Sequence, residues 1–167
     1  MVVTDPMTGL GNRRYFDRAV APLFDQLADQ GTPFSIVVFD VDRFKRVNDI
    51  LGHDMGDIVL KEVAARLASN MRGIDVVSRY GGEEFAVILP NTNQAGALKV
   101  AENLLKEVSA RQLTTGASSK PIGRITMSIG LALYSDNETL ESFIDRADQC
   151  MYDAKRSGRN QVKAQTN

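Results

Sequence analysis

Along the chain, apolar residues alternate between the three-to-four spacing of helices and the two-residue spacing of strands. Between Asn12 and Gln30, Phe16, Ala19, Val20, Leu23 and Leu27 recur at helical intervals and predict a helix that Pro22 should kink or restart. Phe34-Ser35-Ile36-Val37-Val38-Phe39-Asp40-Val41-Asp42 is an apolar run of strand length, rich in β-branched residues, that stops at two aspartates. A short helix from Arg43 to Leu51 follows, then a longer one with Met55, Ile58, Val59, Val63, Leu67 and Met71 as its inward stripe. Ile74 to Tyr80 and Phe85 to Leu89 predict the two arms of a hairpin. Leu98, Ala101, Leu104, Leu105 and Val108 mark another helix, begun near Asn91 or Thr92 as a cap. The polar stretch Thr114 to Lys120 predicts a loop, and Ile125, Met127, Ile129, Leu131 and Leu133 alternate as a strand. Leu140, Phe143, Ile144, Ala147, Met151 and Ala154 face inward on a last helix that Gly158 stops, before a short strand near Gln161 to Lys163. With no internal repeat and no linker, residues 1–167 are expected to form one α/β domain. Its central, mostly antiparallel sheet is flanked by helices, and 164–167 form a flexible tail.

Composition narrows the class. An apolar fraction of 43% in 167 residues can fill one core. The formal net charge of -1 argues against a general nucleic-acid surface, which needs a basic stripe. The single cysteine, Cys150, excludes an intramolecular disulfide framework and suits a reducing, cytoplasmic setting; its place on the apolar side of a helix predicts burial. No stretch of roughly 18 apolar residues and no signal-peptide pattern occurs, so no membrane contact by this domain is expected.

The chemistry concentrates at two places. Arg79-Tyr80-Gly81-Gly82-Glu83-Glu84-Phe85 is a tight glycine turn ending in two carboxylates, and it runs directly into an apolar strand. Glycines accept positive φ and admit a bulky ligand such as a nucleotide. Adjacent carboxylates raise each other's pKa unless a cation neutralises them, and a hard divalent metal is the simplest such cation. The second place is the end of the first strand, where alternation puts Asp40 and Asp42 on one face. Asp40, at the rim of the core, needs a partner for its charge and is the better metal candidate. Asp42 fits better as a cap for the following helix.

These strings, taken together, resemble a GGDEF domain, the catalytic module of diguanylate cyclases, in its Gly-Gly-Glu-Glu-Phe form. The likeness runs from Asp5-Pro6-Met7-Thr8-Gly9-Leu10-Gly11-Asn12-Arg13-Arg14 to Ser157-Gly158-Arg159-Asn160. Between them lie Phe39-Asp40-Val41-Asp42-Arg43-Phe44-Lys45-Arg46-Val47-Asn48-Asp49, Gly52-His53-Asp54-Met55-Gly56-Asp57 and the glycine turn. The order strand, helix, hairpin, helix, strand is the ferredoxin-like plan of polymerase and nucleotide-cyclase palms. Because the chain begins almost on its first motif, an N-terminal sensory or regulatory domain, and any membrane anchor, is expected in a longer signalling protein.

The resemblance implies a nucleotidyltransferase that condenses two GTP molecules into cyclic di-GMP with release of two pyrophosphates. It implies that Asp40, the Val41 carbonyl, Glu83 and Glu84 hold Mg2+, with Mn2+ as a substitute and about two ions per half-site. Glu83 is also the candidate for deprotonating the attacking hydroxyl. Asn48 and Asp57 match the family's guanine-binding pair, since Asp57 can accept from the N1-H and exocyclic amine that distinguish guanine from adenine. Phe44 and His53 line the same pocket, and His53 lacks the partner ligands a zinc site needs. Lys45, Lys155 and Arg159 match the triphosphate ligands. The two equivalent links of the product require two GTP molecules antiparallel, hence a homodimer, transient or stable, with catalysis at its interface. Arg72 and Asp75 resemble the family's Arg-x-x-Asp product-inhibition site, although an arginine found on the next helix in some members is Asn103 here. Two rivals remain at this stage: a catalytically silent module that senses GTP or cyclic di-GMP, and a cyclase that makes cyclic mononucleotides.

Overall fold

A computed structural model describes residues 3–110, 112–114 and 121–165, without the side chains of 110, 112–114 and 121–123. Its elements are α1 (Arg13–Gln30), β1 (Ser35–Val41), α2 (Phe44–Leu51), α3 (His53–Asn70), β2 (Val76–Arg79), β3 (Glu84–Leu89), α4 (Gln94–Ala110), β4 (Gln112–Thr114), β5 (Pro121–Arg124), β6 (Met127–Leu133), α5 (Leu140–Arg156) and β7 (Gln161–Ala164). Five strands form one sheet in the order β2-β3-β1-β6-β7, antiparallel throughout except for the β6-β7 pair. The expected strand, helix, hairpin, helix, strand order is therefore present, with β1 in the middle and buried along its whole length.

The period-two pattern divides the core into two layers. Val37, Phe39, Val41, Phe85, Val87, Leu89, Met127, Ile129 and Leu131 face α3 and α4. Ile36, Val38, Ala86, Ile88 and Ala132 face Phe16, Val20, Phe24 and Leu27 of α1 and Phe143, Ala147 and Met151 of α5. Helix α5 lies so close on the sheet that a Cβ at Gly130 would overlap the Ala147 carbonyl and the Met151 backbone. This approach brings the last turn of α5 to the end of β1. Cys150 is buried there, as its pattern predicts.

Several expectations need correction. Pro22 does not restart α1, which runs through it as one helix; Pro22 faces solvent and withdraws only the N–H that would reach the Arg18 carbonyl. Asn12 caps this helix, its side chain accepting from the Tyr15 N–H at 2.9 Å. On α3 the inward stripe is Val59, Leu60, Val63, Ala64 and Leu67, while Ile58 is 40% exposed. Helix α4 starts at Gln94 with Asn93 before it, its side chain accepting from the Gly96 N–H, one residue beyond Thr92 and two beyond Asn91. Much of the expected Thr114 to Lys120 loop, 115–120, lies outside the described residues, and on either side of it β4 and β5 pair as a small second sheet. Ala164, expected in a flexible tail, pairs with Leu131 as the end of β7, and Gln165 accepts from Gln94 and Arg146. Residues 166 and 167 lie outside the described residues. Among the described residues no helix is long and apolar enough to cross a membrane.

Candidate active site

The antiparallel register of β1 and β3 sets Asp40 directly opposite Glu84, so their side chains leave the same end of the sheet a few ångströms apart. One residue on, the Val41 N–H donates to the Glu83 carbonyl at 3.2 Å. The last turn of α5 contributes Lys155, whose Nζ donates to Asp40 Oδ2. The other carboxylate oxygen, Asp40 Oδ1, is buried and has no hydrogen-bond partner among the described residues.

Electrostatics mark this cluster as short of positive charge. Burial raises Asp40 above the usual carboxylate range, against the hydrogen bond and charge of Lys155, and the charges of Asp42 and Asp148 push it the same way. Burial and then the Asp40 charge raise both Glu83 and Glu84. For Lys155 burial works against the ammonium, but the bond and charge of Asp40, with the charges of Glu84 and Glu83, outweigh it and hold the pKa up. An ion pair ordinarily lowers its acid; here one lysine does not offset the desolvation of Asp40, so the carboxylates still favour a further cation. Among the described residues no three acidic, His or Cys side chains already close into a ligand cage. Magnesium does not require one, since it takes one or two carboxylates and keeps water or phosphate oxygens in its other positions. The buried free oxygen of Asp40 and the raised glutamates fit such an ion.

Asp42 does not cap α2 and is instead engaged by three donors. Its oxygens accept from Thr126 Oγ1 at 2.7 Å, Ser128 Oγ at 2.6 Å and the Asn160 N–H at 3.0 Å. It ties the end of β1 to β6 and to the turn after α5, where Arg159 and Asn160 both hold left-handed backbone. The cap position of α2 belongs to Arg43, also left-handed, without a side-chain bond.

Beside the acids lies a cleft of about 500 Å³ lined by Phe44, Asn48, His53, Asp57, Glu83 and Glu84, together with Arg13, Leu60, Arg79, Tyr80 and the two turn glycines. Six residues expected at the site therefore share one cavity, large enough for a nucleotide. Gly56 leaves room for it: a Cβ there would strike Asn48 Oδ1 and crowd the Phe44 ring, displacing the two side chains that line the cleft. Asn48 Oδ1 is itself buried and unpartnered among the described residues, a second polar atom that suits a ligand. Lys45 and Arg159 are exposed and do not line this cavity. Arg72 and Asp75 lie elsewhere, bound to one another at 2.8 Å, with Arg72 also donating to Pro90 O and Thr92 Oγ1. Asn103 is exposed on α4.

The turn differs from expectation in one respect. Neither Gly81 nor Gly82 has positive φ. The Glu84 carbonyl accepts from the N–H groups of Tyr80 and Gly81, and Arg79 donates to the Gly82 carbonyl at 2.7 Å, closing the turn without it. A Cβ on Gly82 would meet open space, so what glycine leaves there is room. Sequence reasoning also missed the supports of the turn. Arg79 reaches Asp5 at 3.2 Å, and the Arg13 guanidinium lies 3.8 Å over the Tyr80 ring. Both partners stand in the first motif, more than sixty residues before the turn, so no local signal in the sequence announced them.

A ferredoxin-like sheet whose strand ends carry unneutralised carboxylates beside a nucleotide-sized cleft defines a nucleotide-cyclase type of domain. The chain belongs to the GGDEF family, matching the family described as diguanylate cyclase, GGDEF domain, over residues 2–161. It is 46% identical over 163 residues to the response regulator PleD of Caulobacter vibrioides, an alignment that covers 97% of this chain and 36% of that protein. It is 39% identical over 171 residues to diguanylate cyclase A of Treponema denticola, covering 100% of this chain and 45% of that one. The chain thus spans less than half the length of these relatives. Its fold matches the GGDEF domain of DgcB from Caulobacter crescentus, solved in complex with c-di-GMP, with a TM-score of 0.95 at 36% identity, covering 98% of this chain and 96% of that one.

Proposed function

We propose that this domain is a diguanylate cyclase: it joins two GTP molecules into cyclic di-GMP, releasing two pyrophosphates. The observation that carries the proposal is the pairing of Asp40 with Glu84 across β1 and β3, with one buried Asp40 oxygen unpartnered, at the edge of a cleft holding Asn48 and Asp57. Relatives named diguanylate cyclase support it.

In each link the 3′-hydroxyl of one nucleotide attacks the α-phosphorus of the other; the new P–O bond forms as the bond to pyrophosphate breaks. Asp40, the Val41 carbonyl, Glu83 and Glu84 would hold Mg2+ or Mn2+, about two ions, which would stabilise charge on the phosphate oxygens and acidify the hydroxyl. Glu83, held above the usual carboxylate range by burial and by the Asp40 charge, receives the hydroxyl proton. Asp57 accepts from the guanine N1-H and amine, and the Asn48 amide binds the same edge. Phe44 and His53 flank the base. Lys155, which bonds Asp40 in the absence of ligand, would bind the triphosphate, with Lys45 and Arg159 reaching the phosphates from the exposed rim. Two copies meet across a two-fold axis so that each hydroxyl faces the other α-phosphate. Product binding at Arg72 and Asp75 would compete with the ion pair between them, and Asn103 stands where some family members carry an arginine.

Purified chain incubated with GTP and magnesium, with products read by mass, tests this directly. Cyclic di-GMP and pyrophosphate are expected. Cyclic GMP, or tight nucleotide binding without turnover, would contradict it.

A further inference from the structure

A second cavity, of about 330 Å³, lies on the far side of α2 from the nucleotide cleft, between that helix and the corner where β5 passes into β6. Helical spacing separates the two faces: Phe44 and Asn48 point to the cleft, whereas Arg43, Arg46, Val47, Ile50 and Leu51 line this groove, with Arg124, Ile125 and Thr126 opposite. None of the guanidinium groups of Arg43, Arg46 and Arg124 has an ion-pair or hydrogen-bond partner among the described residues. The one acid in the lining, Asp42, already accepts from Thr126, Ser128 and Asn160. Three free guanidinium forks therefore surround a concavity in a chain whose net charge is -1. Its floor is aliphatic, and Ile50 is 65% exposed, the highest exposure of any large apolar side chain among the described residues.

We infer that this groove is a second nucleotide site, with phosphate on Arg43, Arg46 and Arg124 and a purine on Ile50, Leu51 and Ile125. Arginine forks match phosphate oxygens two at a time, and a planar base covers aliphatic surface that is otherwise left in water. An acid-only ligand leaves the aliphatic floor unused, and a purely apolar one leaves three charges unmatched. Occupancy bears on the reaction because α2 is the wall between the two cavities and has no fully buried residue of its own to fix it. Filling the groove braces the wall that carries Phe44 and Asn48.

The site does not depend on the cyclase proposal and is tested without turnover or metal. Amide NMR spectra of the purified chain are recorded with ADP, which the guanine pocket disfavours, with pyrophosphate, and with KCl at matched ionic strength. ADP is expected to shift the amides of Arg43, Arg46, Ile50, Leu51 and Arg124, equally in Asp57→Asn. The charge-reversing pair Arg46→Glu and Arg124→Glu should weaken ADP and pyrophosphate alike, by about tenfold or more. Ile50→Ser should weaken ADP several-fold while leaving pyrophosphate unchanged. Shifts confined to the nucleotide cleft, shifts reproduced by KCl, or ADP binding that survives the double charge reversal in a folded variant would each overturn the inference. Equal weakening of ADP and pyrophosphate by Ile50→Ser would overturn the purine part.

Discussion

At the scale of single residues, the two aspartates at the end of β1 show how far a pattern reaches. Alternation placed both on one face, and only their partners separate the roles: Lys155 and an open oxygen for Asp40, three donors for Asp42. Those donors lie more than eighty residues away in sequence, so no local signal could announce them. Asp42→Ala strands the Ser128 hydroxyl and the Asn160 N–H and should cost about 2–3 kcal/mol, read by urea unfolding. A variant of unchanged stability that failed to bind metal would instead make Asp42 a ligand. In the proposed base pocket, Asp57→Asn replaces one of the two carboxylate acceptors for the guanine edge with an amide donor. It should reduce the preference for GTP over ATP by about tenfold or more in a competition assay; an unchanged preference would remove Asp57 from the pocket.

At the scale of elements, the strong periodicities were legible and the weak ones were not. Strands β1 and β6 and helix α5 are long, apolar and regularly spaced, and each was expected close to where it lies. The stripe of α3 was misread by including Ile58, because neighbouring apolar residues leave the helical phase ambiguous and α2 covers part of that face. Strands β4 and β5 have three and four residues in a polar stretch without alternation, too short to leave a pattern. Gly130 was unmarked for another reason: its need arises only when α5 lies across it. Gly130→Ala forces the Ala147 carbonyl and Met151 backbone away. It should destabilise the fold by about 1–3 kcal/mol and loosen Lys155 from Asp40. Thermal unfolding checks the first effect, and a wild-type midpoint would show that α5 does not sit so close.

For the whole molecule, carboxylates stay close together at the site at some expense to the fold. Burial and the charge of Asp40 raise Glu84, so the folded chain holds protons that the unfolded chain releases. Stability of the metal-free protein should therefore decline as pH rises from the ordinary glutamate range through the raised folded value, and stay low above it. Glu84→Gln removes this burden and should raise the melting midpoint near neutral pH by roughly 2–4 °C, equivalent to at most about 1 kcal/mol for a half-exposed group. The gain should vanish in acid, where wild-type Glu84 is itself protonated. A gain independent of pH would place its origin elsewhere. If Glu84 is a metal ligand, as proposed, the substitution trades metal binding for stability.

The most direct test of the account is where manganese binds. Mn2+ titrated into isotopically labelled chain with a non-hydrolysable GTP analogue broadens amides near the ion. Broadening is predicted first at Asp40, Val41, Glu83 and Glu84, and should be lost in Asp40→Asn. Broadening centred away from the β1 and β3 ends, or unchanged by that substitution, would contradict it.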